Sequence, residues 1–163
     1  MGAALMIVQD IGTAQGDEIG HVLARAMFND PLAAHILPDR DDRARRLPIL
    51  FGTLARYGAL YGKAQAIGSP IGAGAIWLTP GGGDMTPDRI EACGMDRLPA
   101  RVGAGAMEQF FAVIGQMETV HEQAVDGDHW YLQVIGVDPA AQKSGMGHAL
   151  LHPVLDQADA GGH

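Results

Sequence analysis

Cysteine is nearly absent from this chain, with Cys93 the only one among 163 residues. No internal disulfide framework can exist, and this thiol economy is that of a cytoplasmic protein. Nothing links Cys93 to a histidine partner, so it reads as a small buried residue rather than a nucleophile. Lys and Arg are also scarce, 11 against 19 Asp and Glu, for a formal charge of -8. That balance disfavours nucleic acid, whose backbone is bound by clustered cations. The run Arg40, Arg43, Arg45, Arg46 is no such cluster, because Asp39, Asp41 and Asp42 sit among its members. No apolar run approaches the roughly 18 residues of a membrane span, and the start has no basic leader before Asp10. After Gly2, position 6 is Met where a myristoylation signal wants Ser or Thr. Neither nucleic acid nor membrane is therefore expected as a partner.

The length fits one domain able to bury a core of its own. Residues 4–11, "ALMIVQDI", read as a first strand. Ile19, Val22, Leu23, Ala26 and Met27 recur at helical spacing until "NDP" at 29–31 stops them. A second helix is expected from about Asp42 to Tyr61, striped by Leu47, Leu50, Phe51, Leu54 and Tyr61. Two apolar runs around Ser69-Pro70 read as an antiparallel hairpin whose second strand ends at Leu78. Residues 84–100 are rich in turn formers. A long helix is predicted from about Arg101 to Val125, striped by Phe110, Val113, Met117 and Val120 and broken by "DGD" at 126–128. Trp130 to Val137 is continuously apolar enough for a central strand covered on both faces. The order β-α-α-β-β-α-β-α belongs to a mixed α/β domain.

The last strand leads into "PAAQKSGMG", with a helix beginning near Gly145. A helix start presents N–H groups without intrahelical partners, and with the helix dipole they suit an anion such as a pyrophosphate. A Cβ would hold the phosphate off, so Gly145 and Gly147 give access; Met146 can turn into the core, and Ser144 offers a hydroxyl. Between Val102 and His163 stand eight carboxylates and one Lys or Arg, and that cation is Lys143, in the loop. With 23 glycines in the chain, a GxG alone carries little weight, and "GAG" recurs at Gly72 and Gly103. The strand before and the helix after give the motif its meaning. No GxxxxGK[ST] occurs, and a dinucleotide fingerprint would need a third glycine where Leu150 stands.

The run Gln142, Lys143, Ser144, Gly145, Met146, Gly147, preceded by Val137, Asp138 and Pro139, resembles the Q/R-x-x-G-x-G/A acetyl-CoA motif of the GNAT superfamily of N-acetyltransferases. The wider pattern from "HWYLQVIGVDP" through "ALLHPVLDQAD" looks like the branch that includes puromycin N-acetyltransferase, as do "LARAMFNDPLAAHILPD" and "AIWLTPGG" upstream. The resemblance implies a mixed, mostly antiparallel sheet with flanking helices of the acyl-CoA N-acyltransferase type. It implies acetyl-CoA as co-substrate, its pyrophosphate on the amides from Lys143 to Gly147, with Gln142 opening the motif. Pantetheine would pair along Ile135, Gly136 and Val137. The acetyl group would pass directly to a neutral primary amine of a small-molecule acceptor, with no acyl-enzyme.

Two departures from the family pattern stand out: Lys143 occupies a position that is often glycine, and Ser144 one where Arg or Lys is common. Members of the family also continue past the motif helix with a strand, a helix and a closing hairpin, often carrying a tyrosine acid. This sequence stops at "DAGGH", so residues 1–163 read as a single, incomplete N-acetyltransferase-like domain. Either it is a fragment or a partner subunit, such as a second copy in a homodimer, completes the sheet. The isolated polypeptide is expected to turn over weakly or not at all. The alternatives are a non-catalytic CoA-binding or protein-interaction domain and an inactive fragment.

No catalytic residue is assigned. His121 and Glu122 at a helix end, and His129 before the strand, either face the acceptor cleft or lie in solvent. Tyr57, Tyr61 and Tyr131 match no acid motif. His148, His152 and Asp156 share one helix face, yet no HExxH pattern accompanies them and no metal is expected. Met107, Phe110, Phe111, Met117, Trp77 and Trp130 read first as core; the family resembled places its amine between early helices and the central sheet, which implies that some of them line an acceptor pocket.

Overall fold

The two apolar runs that flank Ser69-Pro70 fold back on each other across a cis peptide bond. In the computed structural model, which describes residues 6–162, they are β2 (Gly62–Ile67) and β3 (Ala73–Leu78), after a short β1 (Val8–Asp10). Ala4 and Leu5 of the expected first strand lie outside the described residues. Register runs from Ile67 opposite Ala73 to Gly62 opposite Leu78. β1 pairs with the outer side of β2, and β4 (Tyr131–Val137) with the outer side of β3. The four strands are antiparallel in the order β1-β2-β3-β4. The fold is the expected mixed α/β arrangement with helices flanking the sheet.

Small residues dominate β2 and β3 because helices press on both faces. Ala64, Ala66, Ala73 and Ala75 are all buried. On one face lie α1 (Gly16–Ala26), α2 (Pro31–Ile36) and α3 (Arg40–Tyr61), packed through Ile19, Leu23, Leu47, Leu50 and Tyr57. A Cβ at Gly20 would stand 2.6 Å from the Pro48 carbonyl oxygen and 2.7 Å from the Gly52 nitrogen, so α1 and α3 cross nearly backbone to backbone. On the other face, Leu150 and Val154 of α7 (Met146–Gly161) cover Ala73, Ala75 and Trp77.

Several elements differ from the sequence reading. α2 was hidden behind the "NDP" stop: Asp30 is its N-cap, accepting from the Leu32 N–H at 2.9 Å, and Pro31 opens its first turn. Asp39 caps α3 through the Asp42 N–H at 2.8 Å, moving that helix start back to Arg40. Arg43, from the charged run, is buried, and its guanidinium donates to the carbonyls of Leu37, Phe28 and Pro38 at 2.7, 3.0 and 3.0 Å. The turn-rich stretch 84–100 holds α4 (Pro87–Cys93), capped by Thr86, and the start of α5 (Leu98–Val102). Gly103, at φ 116°, splits the predicted long helix, so that α6 is Ala104–Ala124.

β4 is not a strand covered on both faces. It ends the sheet, and of its seven residues only Gly136 is buried, the rest being half-buried. Nor are Phe111 and Met117 core; they are 45% and 50% exposed. The reason is shared. Only Met107 of α6 is fully buried, and residues 110–118 of the helix line a cleft against β4 before His121 meets His129 and Tyr131.

Candidate functional site

At the carboxyl end of β4 the chain makes a short 3-10 turn at Pro139–Ala141, passes through Gln142, Lys143 and Ser144, and enters α7 at Met146. Gly145 is the N-cap in left-handed conformation (φ 89°, ψ 0°), which a Cβ would strain. Lys143 is also left-handed, at φ 64°, the one such non-glycine residue among those described. A glycine would adopt this conformation without the strain a Cβ brings. The first bond of α7 runs from the Ala149 N–H to the Gly145 carbonyl at 3.0 Å, and no side chain caps the helix. The N–H groups of Gly145, Met146, Gly147 and His148 therefore precede the intrahelical ladder. The sequence placed the donors at 143–147; His148 joins them here.

The expected site residues follow one another from β4 through the loop into α7, but Gly136 is buried and turned toward β3. The Gln142 side-chain N–H donates to the Val137 carbonyl at 3.4 Å, and a Cβ on Gly147 would stand 3.6 Å from Val137 Cγ2. Met146 turns inward to pack on the α7 side of the sheet. The Ser144 hydroxyl donates to the Ala141 carbonyl at 2.6 Å, bracing the loop. Lys143 has no ion-pair partner among the described residues. Gly136 is glycine for another reason: α1 passes so close that a Cβ would lie 2.8 Å from Ala26 Cβ.

Asp138 fixes where the loop begins. Its N–H donates to the Gly72 carbonyl at 2.8 Å, one carboxylate oxygen accepts from the Ala140 N–H at 3.0 Å, and the other from Arg25 Nε at 2.6 Å. The Ala140 bond first, and Arg25 second, hold its carboxyl below the usual range. A carboxylate with a depressed pKa stabilises the fold above its unfolded titration near pH 4, and that contribution is lost as pH falls through the lower folded value. Asp138→Asn is expected to cost about 1–2 kcal/mol at pH 7. Urea unfolding at several pH values should show this deficit steady from pH 7 to about pH 5 and shrinking below about pH 4.

Along β4 the ladder bonds alternate sides, and Asp138 points inward to Gly72. Val137 and Ile135 thus direct their backbone groups to the outer edge, which pairs with no strand among the described residues. Farther back the register slips: Ile76 opposes Val134 and Trp77 opposes Leu132, so Gln133 is an extra residue in a bulge. Its side-chain Oε1 is buried without a hydrogen-bond donor among the described residues.

Gln133 sits where two recesses meet. One, about 500 Å³, lies between α2, α3, α6 and β4; the other, about 380 Å³, reaches the 79–84 turn and the 127–129 segment. Glu118, Tyr131 and Gln133 line both. His121 and His129, ambiguous in the sequence, belong to the second. Their Nε2 atoms are 2.8 Å apart, and His129 Nδ1 donates to the Gly127 carbonyl at 2.8 Å. With both rings neutral, His129 Nε2 accepts and His121 Nε2 donates, leaving His121 Nδ1 as a base. Tyr131 packs on His121 with ring centroids 4.7 Å apart.

The other candidate side chains line neither recess. Tyr57 is fully buried, with its hydroxyl donating to the Asp84 carbonyl at 3.3 Å, and it packs on Tyr61. Cys93 is buried and donates to the Ile90 carbonyl, and burial pushes its thiol pKa up. His148 and His152 touch through their Nε2 atoms at 2.7 Å on an exposed face. Among the described residues no group of three His, Cys, Asp or Glu is placed to hold a metal ion, and no helix is long and apolar enough to cross a membrane.

No protein-family model and no curated protein matches the chain. The fold has a solved counterpart described as histone acetyltransferase HPA2 and related acetyltransferase, from Corynebacterium glutamicum ATCC 13032. The two superpose with a TM-score of 0.59 at 21% identity, over 94% of this chain and 71% of that one. The architecture of this protein is therefore that of a solved acetyltransferase.

Proposed function

We propose that the protein carries out acetyl transfer from acetyl-CoA to a primary amine, as a member of the GNAT superfamily. One observation carries this: four N–H groups without helical partners open α7 just after β4, whose outer edge pairs with no strand among the described residues. The amides of Gly145 to His148, with Lys143 adjacent, suit a diphosphate. The outward backbone groups of Ile135 and Val137 suit the amides of a pantetheine arm laid along the edge. That alignment brings the thioester toward Gln133 and the cleft.

The amine must be neutral to attack. Its nitrogen adds to the thioester carbon, the C–S bond breaks, and the departing thiolate takes a proton. Glu118 and His121 stand beside the cleft as groups able to receive the ammonium proton. One free, buried cysteine fits a cytoplasmic setting. A solved counterpart longer than this chain fits a sheet completed by further chain or by a second subunit.

Acetyl-CoA at a hundred times its Kd should stabilise the protein by about 2.7 kcal/mol, raising the melting temperature by roughly 5–10 °C. No shift, and no saturable heat up to millimolar acetyl-CoA, would overturn the reading. Binding without turnover, in the presence of amines, would assign the chain a CoA-binding role without catalysis.

A further inference from the structure

We infer that the cleft between α6 and β4 binds a primary amine borne on an extended apolar body, with its ammonium held at the Glu118–Gln133 end. The inference rests on the acetyl-transfer reading for why an amine should come there. The binding itself is argued from the cleft.

Its volume, about 500 Å³, is that of a small-molecule site. The walls are apolar: Phe51 from α3 faces Phe110, Phe111, Ile114 and Met117 from α6. Phe111 and Met117 are about half exposed on the cleft-lining segment of α6. Such side chains gain by covering an apolar ligand.

Among the described residues no Lys or Arg lines either recess, whereas Glu118 lines both and has no ion-pair partner. Asp30 is also at the cleft, but its carboxylate caps α2. A cation is thus favoured over an anion; Asp84 and Asp128 line the second recess alone, and Glu118 is the carboxylate shared by both. Gln133 supplies the second observation. It is the bulged residue, and its buried Oε1 lacks a donor among the described residues, so an N–H of the ligand would satisfy it. A highly charged polyamine would leave the aromatic wall unused, and a neutral apolar molecule would leave the carboxylate and amide unused.

Calorimetry with the wild-type chain tests this, using butylamine, hexylamine, octylamine, 1-octanol and spermidine. Affinity should rise by about fourfold per added methylene until the cleft is filled. Octylamine should bind at least tenfold more tightly than 1-octanol, and more tightly than spermidine. Glu118→Gln should weaken octylamine about fivefold and leave 1-octanol unchanged. Phe111→Ser, at a half-exposed position, should flatten the chain-length dependence without unfolding the protein.

Equal binding of amine and alcohol, affinity independent of chain length, or tighter binding of spermidine would each overturn the proposal. So would sedimentation showing a dimer that excludes octylamine, which would give the cleft to a second copy. Acetyl-CoA titrated in parallel separates the two readings. Amine binding without acetyl-CoA binding removes the transferase reading and keeps the cleft assignment, and the converse result does the reverse.

Discussion

Gly147→Asp is expected to weaken acetyl-CoA binding at least a hundredfold while leaving the melting temperature unchanged or higher. Gly147 is the second residue of α7, and its missing Cβ would meet only Val137 Cγ2, at 3.6 Å, an ordinary contact. The backbone there is helical, so no strain attends a side chain. Aspartate is a slightly better helix residue than glycine, and α7 has no acidic residue in its first turn. A carboxylate at that end gains about 0.3–1 kcal/mol from the helix dipole. The same carboxylate lies among the amides assigned to the diphosphate. Two like charges about 5 Å apart repel by roughly 3 kcal/mol at an effective dielectric of about 20, a hundredfold or more in Kd. Calorimetry for affinity and thermal denaturation for stability separate the two effects. A stable variant that binds acetyl-CoA like the wild type would remove the helix start from the binding site.

The second large effect concerns the crossing of α1 and α3. Glycine to alanine inside a helix ordinarily gains about 1 kcal/mol, and Gly115→Ala in α6 should gain about 0.5–1, since nothing lies within 4 Å of its added Cβ. Gly20→Ala should reverse the sign and lose about 2–3 kcal/mol. Its Cβ would meet the backbone of Pro48 and Gly52 at 2.6–2.8 Å, atoms that no rotamer change can move aside. The helices must separate, pulling Ile19 and Leu23 from the sheet. Urea denaturation of both variants gives the comparison. A stabilised Gly20→Ala would mean that α1 lies farther from α3.

What the sequence made legible was local chemistry. The hairpin showed because Ser69-Pro70 sits between two apolar runs, and the junction of β4 with α7 showed because Gly145 and Gly147 follow a strand and open a helix, although that strand was expected at the centre of the sheet and stands at its end. α2 and α4 were missed because, at six and seven residues, they are too short for a periodic stripe. Their caps, Asp30-Pro31 and Thr86-Pro87, were written in the chain, but proline was read as a breaker rather than a first-turn residue. Arg43 looked like one more surface charge. What distinguishes it is three carbonyls presented just past the ends of α1 and α2, an arrangement composition does not reveal. The full lining of the cleft was illegible for a different reason: Phe51, Ile114 and Gln133 meet only after three elements have packed. The Arg25–Asp138 bond, across 113 positions, is likewise a product of the fold.

Gln133 also changes the parity of its strand. Ahead of it, the even-numbered Trp130 and Leu132 pack toward α7; beyond it, the odd-numbered Ile135 and Val137 do, while Val134 joins the opposite layer. Deleting that single residue would force one half of the strand to exchange its two sides, turning either Tyr131 away from His121 or Val137 away from α7. The donor shelf at one end and the apolar chamber at the other are thus held in phase by one inserted position.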